Sequence, residues 1–571
     1  MMKYRILLAA WAFVSAVGLG AQTIYDAAAL TDRDLNGTAR FVGMGGAMSA
    51  LGGDLSTIGV NPAGLGIFRS YEAAVSFGLS SYGNEADYAG KKFSSDKFRG
   101  DFNSAGFVIA NKIGNATTLR YVNLGVNYQR VKSFNRNLQM GGGLNGFTQT
   151  AQMANQALGI YDWKDSYANP DIGWLSALAY DGYLITDLIS QPQLDELLQK
   201  DPNYTNYKPY MQEVNGQKVQ VTNKAGKKMY YTPGEYVGMY NDGTASFHSK
   251  ERGGIDRYDF NLSFNVNDRA YFGLTIGAYT VDYDKYSFYD ENYISVYDGI
   301  AGEINEGYNL QTWSSIEGSG FDIKFGTIIR PFEYSPFRIG LAVHTPTFYN
   351  LDYKTEALLQ SDVLNYLSIK NEMDVEPGKI GLYDVSTYDQ VGEMVREFKF
   401  QTPWTYNVSL GYTVDQFLAL GAEYEYKDYS SVKFKDVDGY ADAFGHENST
   451  TDYLKGVHTL RLGLEYKVIP QFAFRAGYNY STSAFKDNAF KDLPLNSIQT
   501  DTDFSNSESL SNYTLGIGYR GKSIYADLAY KYSTYKSDFY PFDMFDGEAL
   551  QQATKVTDTR SQVLFTLGFR F

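Results

Sequence analysis

Seven charged side chains recur where every second residue is apolar: Glu423, Glu425, Arg461, Glu465, Arg475, Asp527 and Lys531. On an extended chain alternate residues share a face, so these seven point away from their oily neighbours and into a common space. Arginine presents a planar fork of donors that grips a carboxylate through two parallel hydrogen bonds. Arg461 and Arg475 lie on consecutive period-two segments, with Glu423 and Glu465 beside them. They are the best-placed candidates to hold a ligand carboxylate. The same residues also read as a salt-bridge network tying strands to whatever fills the space between them, and the sequence leaves both readings open.

Other chemistry is sparse. There is no G-x-S-x-G, no H-E-x-x-H and no P-loop, and the chain has no cysteine, so a thiolate metal site and a disulfide framework are both excluded. The four histidines, His248, His344, His446 and His458, form no spaced pair of ligands, although the 50 tyrosines keep that ligand type open. Asp436, Asp438 and Asp442 approach a calcium loop, but their spacing departs from the EF-hand and no glutamate closes it. The expectation is a protein that is not an enzyme and carries no metal or cofactor. A net charge of -15 argues against a nucleic-acid partner.

The elements that must position the charged set are strands. Period-two alternation runs near 72–80, 103–110, 121–130, 258–266, 271–281, 321–330, 337–345, 404–414, 417–428, 457–468, 471–481, 513–520, 523–534 and 561–571, about fourteen segments in all. Tyr406, Val408, Leu410, Tyr412 and Val414 face one way against Thr405, Asn407, Ser409, Gly411 and Thr413. Leu460, Leu462, Leu464 and Tyr466 likewise oppose Arg461, Gly463, Glu465 and Lys467. Lys or Arg facing lipid costs roughly 2–4 kcal/mol, so the apolar face is assigned to the bilayer and the polar face to a lumen. The fold class expected is all-β, a transmembrane antiparallel barrel of about fourteen strands.

Short connections at Asn267–Ala270, Pro331–Pro336, Asp415–Gln416, Ile469–Pro470 and Gly521–Lys522 alternate with long ones, placing the tight rim on the periplasmic side. The barrel would occupy 71–571, with one large extracellular insertion at 131–257. Within that insertion 172–198 has helical spacing, and Thr355–Leu367 in the loop 346–403 carries a shorter helical patch.

Both chain ends agree. Lys3 and Arg5 precede a mainly apolar run, Ile6 to Leu19, of roughly 14 residues, short of the ~20 that span a bilayer as a helix. Residues 1–21 read as a signal peptide. The last residues, SQVLFTLGFRF from Ser561 to Phe571, alternate with only Leu564 out of phase, and resemble the terminal strand by which outer-membrane barrels are recognised. Partners expected from this are the outer-membrane bilayer, lipopolysaccharide and the barrel-assembly machinery. Aromatic residues at 16% suit interfacial girdles.

Between leader and first strand, 22–70 contains GMGGAMSALGGDLSTIGVNPAGLG, too glycine-rich for a strand. Irregular backbone survives at membrane depth only where protein shields it from lipid, so this segment is expected to plug the lumen. Residues 39–70, and most specifically Asn61, Pro62, Ala63 and Gly64, resemble the amino-terminal hatch of the FadL/TodX family of outer-membrane transporters. IGLAVHTPT at 339–347, TPWTYNVSLGYT at 402–413, and LRLGLEYKV followed by FRAGYNYS agree with it.

That resemblance implies a fourteen-stranded barrel in a Gram-negative outer membrane. It implies passive uptake of a hydrophobic small molecule, fatty-acid-like, from a loop groove to a lumenal pocket and out sideways at an inward strand kink. Asn61-Pro62 would serve as the joint of a moving hatch, since proline restricts the residue before it. Strand three shows no proline near Val122–Tyr128 to mark a kink. Two other roles attach to the resemblance: a scaffold in protein secretion to the cell surface, and a receptor for a haem-type ligand.

Overall fold

The structure, a computed structural model, describes residues 21–571 except 89, 116, 215, 223–225, 240–242, 296–303, 364–380 and 544–552. Its core is one closed antiparallel barrel of fourteen strands. They are β1 Glu72–Tyr88, β2 Lys91–Lys112, β3 Leu119–Ser133 continued by Arg136–Gly143, β4 Gly243–Val266, β5 Ala270–Ser295, β6 Ile304–Ile329 and β7 Arg338–His344 continued by Phe348–Val363. The others are β8 Met394–Gln401 continued by Thr405–Val414, β9 Leu418–Asp428, β10 Gly456–Ile469, β11 Phe472–Ser481, β12 Leu510–Arg520, β13 Ile524–Tyr540 and β14 Thr554–Arg570. Closure is made by β1 on β14, from Glu72↔Arg570 to Asp87↔Lys555, and Tyr71 and Phe571 exchange backbone hydrogen bonds at 3.2 and 3.1 Å.

Each of the fourteen alternating segments falls on a strand of its own. The strands run longer than the alternation because alternation reports only the stretch with lipid on one side. Beyond the bilayer both faces turn polar and the signal fades. Hence strand trims the insertion expected at 131–257 from both ends, leaving 144–242 between β3 and β4. The same effect overturns the helical patch at Thr355–Leu367: Phe348–Val363 is strand, and the rest of that patch lies outside the described residues. The spacing at 172–198 does give helices, α1 Trp174–Asp181 and α2 Gln191–Lys200. The expected signal peptide lies, but for buried Ala21, outside the described residues.

The predicted faces hold. Tyr406, Val408, Leu410, Tyr412 and Val414 are exposed on the outer wall, while Asn407, Ser409, Glu423, Glu425, Glu465, Arg475, Asp527 and Lys531 are buried within. The out-of-phase Leu564 is fully buried, packed with Leu35, Phe41 and Met44 of the N-terminal segment. Asn267, Asp268 and Asp415 take positive φ in tight connections of three residues, a conformation that asparagine and aspartate adopt more readily than other non-glycine residues.

Candidate functional site

The N-terminal segment packs against the inward faces of the strands. A row of glycines makes room for it: Gly411, Gly421, Gly463 and Gly477 are register partners across β8 to β11. A Cβ at Gly421 would stand 2.1 Å from the Ala47 carbonyl oxygen, and one at Gly463 would stand 2.4 Å from that of Met44. Backbone therefore lies on backbone, which only glycine permits. Further along the same side of the wall Asn61 donates to the carbonyls of Ser49 in its own segment at 3.0 Å and of Thr327 on β6 at 3.2 Å. Its side-chain oxygen caps the turn Pro62–Ile67 by accepting from Ala63 N at 3.1 Å, and the Pro62 carbonyl accepts from Asn261. The Gly64 carbonyl accepts from Gly53 N at 3.0 Å. Asn61, Pro62, Ala63 and Gly64 are all buried in this seat.

Six of the seven charged residues fall into two groups, and Lys531 stands apart from both. Arg461 donates to Glu423, and to Glu425 at 3.1 Å. Glu423 also accepts from Asn407, at 2.6 Å, and from Ser49 N. Arg475 donates to Glu465 and to Asp527, each at 2.7 Å. Glu465 also holds Arg40 of the N-terminal segment at 2.8 and 3.1 Å. Both arginines are thus occupied by protein carboxylates. Arg40 escaped the sequence reading because it lies outside any periodic segment.

Above these groups is a cavity of about 360 Å³, lined by Tyr82 of β1, Lys97 of β2, Lys132–Asn137 of β3, Lys531 of β13, Arg560 of β14 and the helix α0 Ile24–Thr31. A second space of about 130 Å³ shares Asp32, Asp34 and Leu35 with it. Helix α0 is fixed by a capping box, in which Thr23 donates twice to Asp26 at 2.8 and 2.9 Å. Its Tyr25 stacks on Phe485 with ring centroids 4.8 Å apart. The lining mixes rings with ion pairs: Arg560–Asp34 at 2.7 Å, Lys285–Asp501 at 2.8 Å and Lys491–Asp501 at 3.1 Å. Burial pushes the Asp501 carboxyl up, but the Lys285 and Lys491 ammonium groups outweigh it and hold it well below the usual carboxylate range. A pocket for a purely hydrophobic molecule is lined mainly by apolar groups. The lining is instead amphipathic, because charged pairs fasten the N-terminal segment to the wall. Arg560 and Lys285 fall just past the alternating stretches, where both faces are polar.

The barrel wall is interrupted beside this cavity. The β2–β3 ladder runs from Lys112↔Tyr121 to Ser104↔Gln129 and stops, although both strands continue. Beyond it Lys91–Phe102 is paired with β1, and Arg136–Gly143 with β4. Strand β3 breaks at Phe134–Asn135, where Phe134 N donates to the carbonyl of Gly253, at φ +99°. Its upper part leans over β1, with Tyr88 donating to the Gly143 carbonyl at 2.9 Å. Asn135 spans the break by accepting from Arg99 of β2 at 2.5 Å. No proline makes this bend. Gly253-Gly254 in the facing strand was the available signal.

Residues 226–571, more than half of the chain, match the sequence model of the outer membrane protein transport protein family (OMPP1/FadL/TodX). The segment 39–70 lies outside that match. None of the curated proteins matches significantly. Among solved structures, a Pseudomonas aeruginosa FadL homologue is 13% identical over 94% of this chain and 99% of its own, at a TM-score of 0.46. The Pseudomonas putida toluene transporter TodX is 10% identical over 94% and 99%, at 0.41. The Ralstonia pickettii toluene transporter TbuX is 12% identical over 94% and 99%, at 0.39. With its closed fourteen-stranded barrel and its apolar outer wall, the chain belongs to the FadL/TodX family of outer-membrane transport proteins.

Proposed function

We propose that this protein is a passive channel for hydrophobic small molecules carrying a fatty-acid-like chain. The ligand enters at the level of the external loops, rests in the 360 Å³ cavity, and leaves sideways between β2 and β3. The observation that carries this reading is that the cavity is lined by both edges of the unpaired stretch, Ser95 and Lys97 on β2 and Lys132–Asn137 on β3. A cavity bordered by both edges of a break in the wall suits a route better than a closed storage pocket.

Residues 22–70 act as the hatch, with Asn61-Pro62-Ala63-Gly64 its hinge-side anchor. The Arg461–Glu423 and Arg475–Glu465 groups hold that hatch and do not receive ligand. An acyl chain gains roughly 0.8 kcal/mol per CH₂ buried from water, so a protein path past the lipopolysaccharide sugar layer needs no energy source. The barrel reaches its membrane through the barrel-assembly machinery after cleavage of residues 1–21.

Mass spectrometry of lipids extracted from gently purified protein, with labelled oleate uptake in cells with and without it, tests the proposal. A stoichiometric ligand and a fall in uptake on deletion are expected. An empty barrel with unchanged uptake would overturn it and favour a scaffold in secretion.

A further inference from the structure

Five of the cations around the cavity are paired; among the described residues Lys97 and Lys531 are not, and of these two only Lys531 is buried. Lys132 is held by Asp32, Arg136 by Asp558 at 3.1 Å, Lys285 by Asp501 and Asp503 at 2.8 and 2.9 Å, and Arg560 by Asp34 at 2.7 Å. Lys531 of β13 also lines the cavity and is 1% exposed. Among the described residues no carboxylate lies within ion-pair distance of it. Its ammonium donates to a single acceptor, the Leu35 carbonyl oxygen at 2.7 Å.

An ammonium carries three donors, and a buried charge is costly unless it is paired and hydrogen-bonded. Asp34, the acid beside Leu35, is already engaged by Arg560 and by Ser133 N at 3.0 Å. The Arg560 Nε, on the neighbouring strand, has no hydrogen-bond partner. Two cationic donors on β13 and β14 are therefore unspent at one side of the cavity, while Tyr82, Phe134, Ile316, Tyr353 and Phe504 supply apolar surface around it.

We infer that Lys531 is the docking point for the anionic head of an amphiphile whose chain lies along those rings. This deepens the transport reading and rests on it: the cargo is a single-chain carboxylate, and a neutral hydrocarbon of the same length binds less well. Arg461 and Arg475, the candidates by sequence, cannot take this role because their forks are filled.

Native mass spectrometry of the full protein in neutral detergent, titrated separately with decanoate and with decanol, tests it. The wild-type protein is expected to bind decanoate at least tenfold more tightly than decanol, a comparison that needs no variant. Lys531→Gln should weaken decanoate at least tenfold, leave decanol unchanged, and be rescued by Lys531→Arg. Unchanged decanoate affinity in Lys531→Gln, equal loss of both ligands, or equal wild-type affinities would overturn the assignment while leaving transport standing. Wild-type protein that binds neither probe overturns both.

Discussion

Arg40 and Glu465 form a two-point ion pair, Nε and Nη2 on the two carboxylate oxygens at 2.8 and 3.1 Å, joining the N-terminal segment to the wall of the barrel. The same carboxylate accepts from Arg475, and Arg40 also donates to the Gly53 carbonyl at 2.8 Å. One side chain thus links two stretches of the N-terminal segment to strands β10 and β11.

Breaking a buried ion pair from one side costs roughly 3–5 kcal/mol, because the remaining charge is left uncompensated. Arg40→Met should therefore release the segment without unfolding the barrel, whose ladders do not use it. In planar bilayers the variant is expected to conduct ions several-fold more than wild type. Equal conductance would mean that this pair does not hold the lumen shut.

The glycine row makes an independent prediction about the same segment. With the Ala47 carbonyl 2.1 Å from a Cβ at Gly421, Gly421→Val has no room, and the segment must leave the wall. The barrel should still form, retaining its heat-dependent shift on gels, since valine suits a strand. Protease added to the purified protein should now cut within residues 22–70, where the wild-type chain is protected.

These two features mark how far the sequence could be read. The wall was legible because lipid imposes a period of two on every strand it touches, so Leu410 and Leu462 announced their face and Glu465 its opposite. The glycines at 421 and 463 were visible as small residues on the inner face, but their purpose was not, because register across strands aligns them. Arg40 was hidden altogether: its partner is 425 residues away, and no local pattern encodes that meeting. The bend in β3 was sought as a proline and is made by glycines on a neighbouring strand.

A pair in the external loops predicts a pH response. His446 Nε2 lies 3.3 Å from Asp492 Oδ2, and that hydrogen bond raises the imidazole above its ordinary value against the opposing effect of burial. A histidine raised on folding stabilises fully below its unfolded value near 6.5, and that contribution is lost as pH climbs through the folded value. Neighbouring Glu447 is raised by burial, so it too destabilises as pH rises past the ordinary carboxylate range. Both effects have one sign. Hydrogen exchange in residues 442–455 should quicken from pH 5 to pH 8, beyond the intrinsic rate change, and His446→Gln should flatten the neutral part of that rise. The histidine is partly exposed, so the effect is modest.

The break between β2 and β3 yields the most direct test of the exit route. Arg99 and Asn135 face each other across it, joined by a side-chain hydrogen bond at 2.5 Å. Cysteines at both positions create no competing thiols, because the chain has none of its own. A short bifunctional thiol reagent would then staple the two edges where the ladder has ended. If cargo leaves sideways, the stapled protein should load ligand as wild type does but deliver it to the membrane at least tenfold more slowly, and a reducible staple should restore the rate on reduction. Undiminished delivery through a stapled wall would mean that cargo leaves past the N-terminal segment instead. Arg40→Met would then accelerate delivery along with conductance, and the two variants together distinguish a side door from a floor.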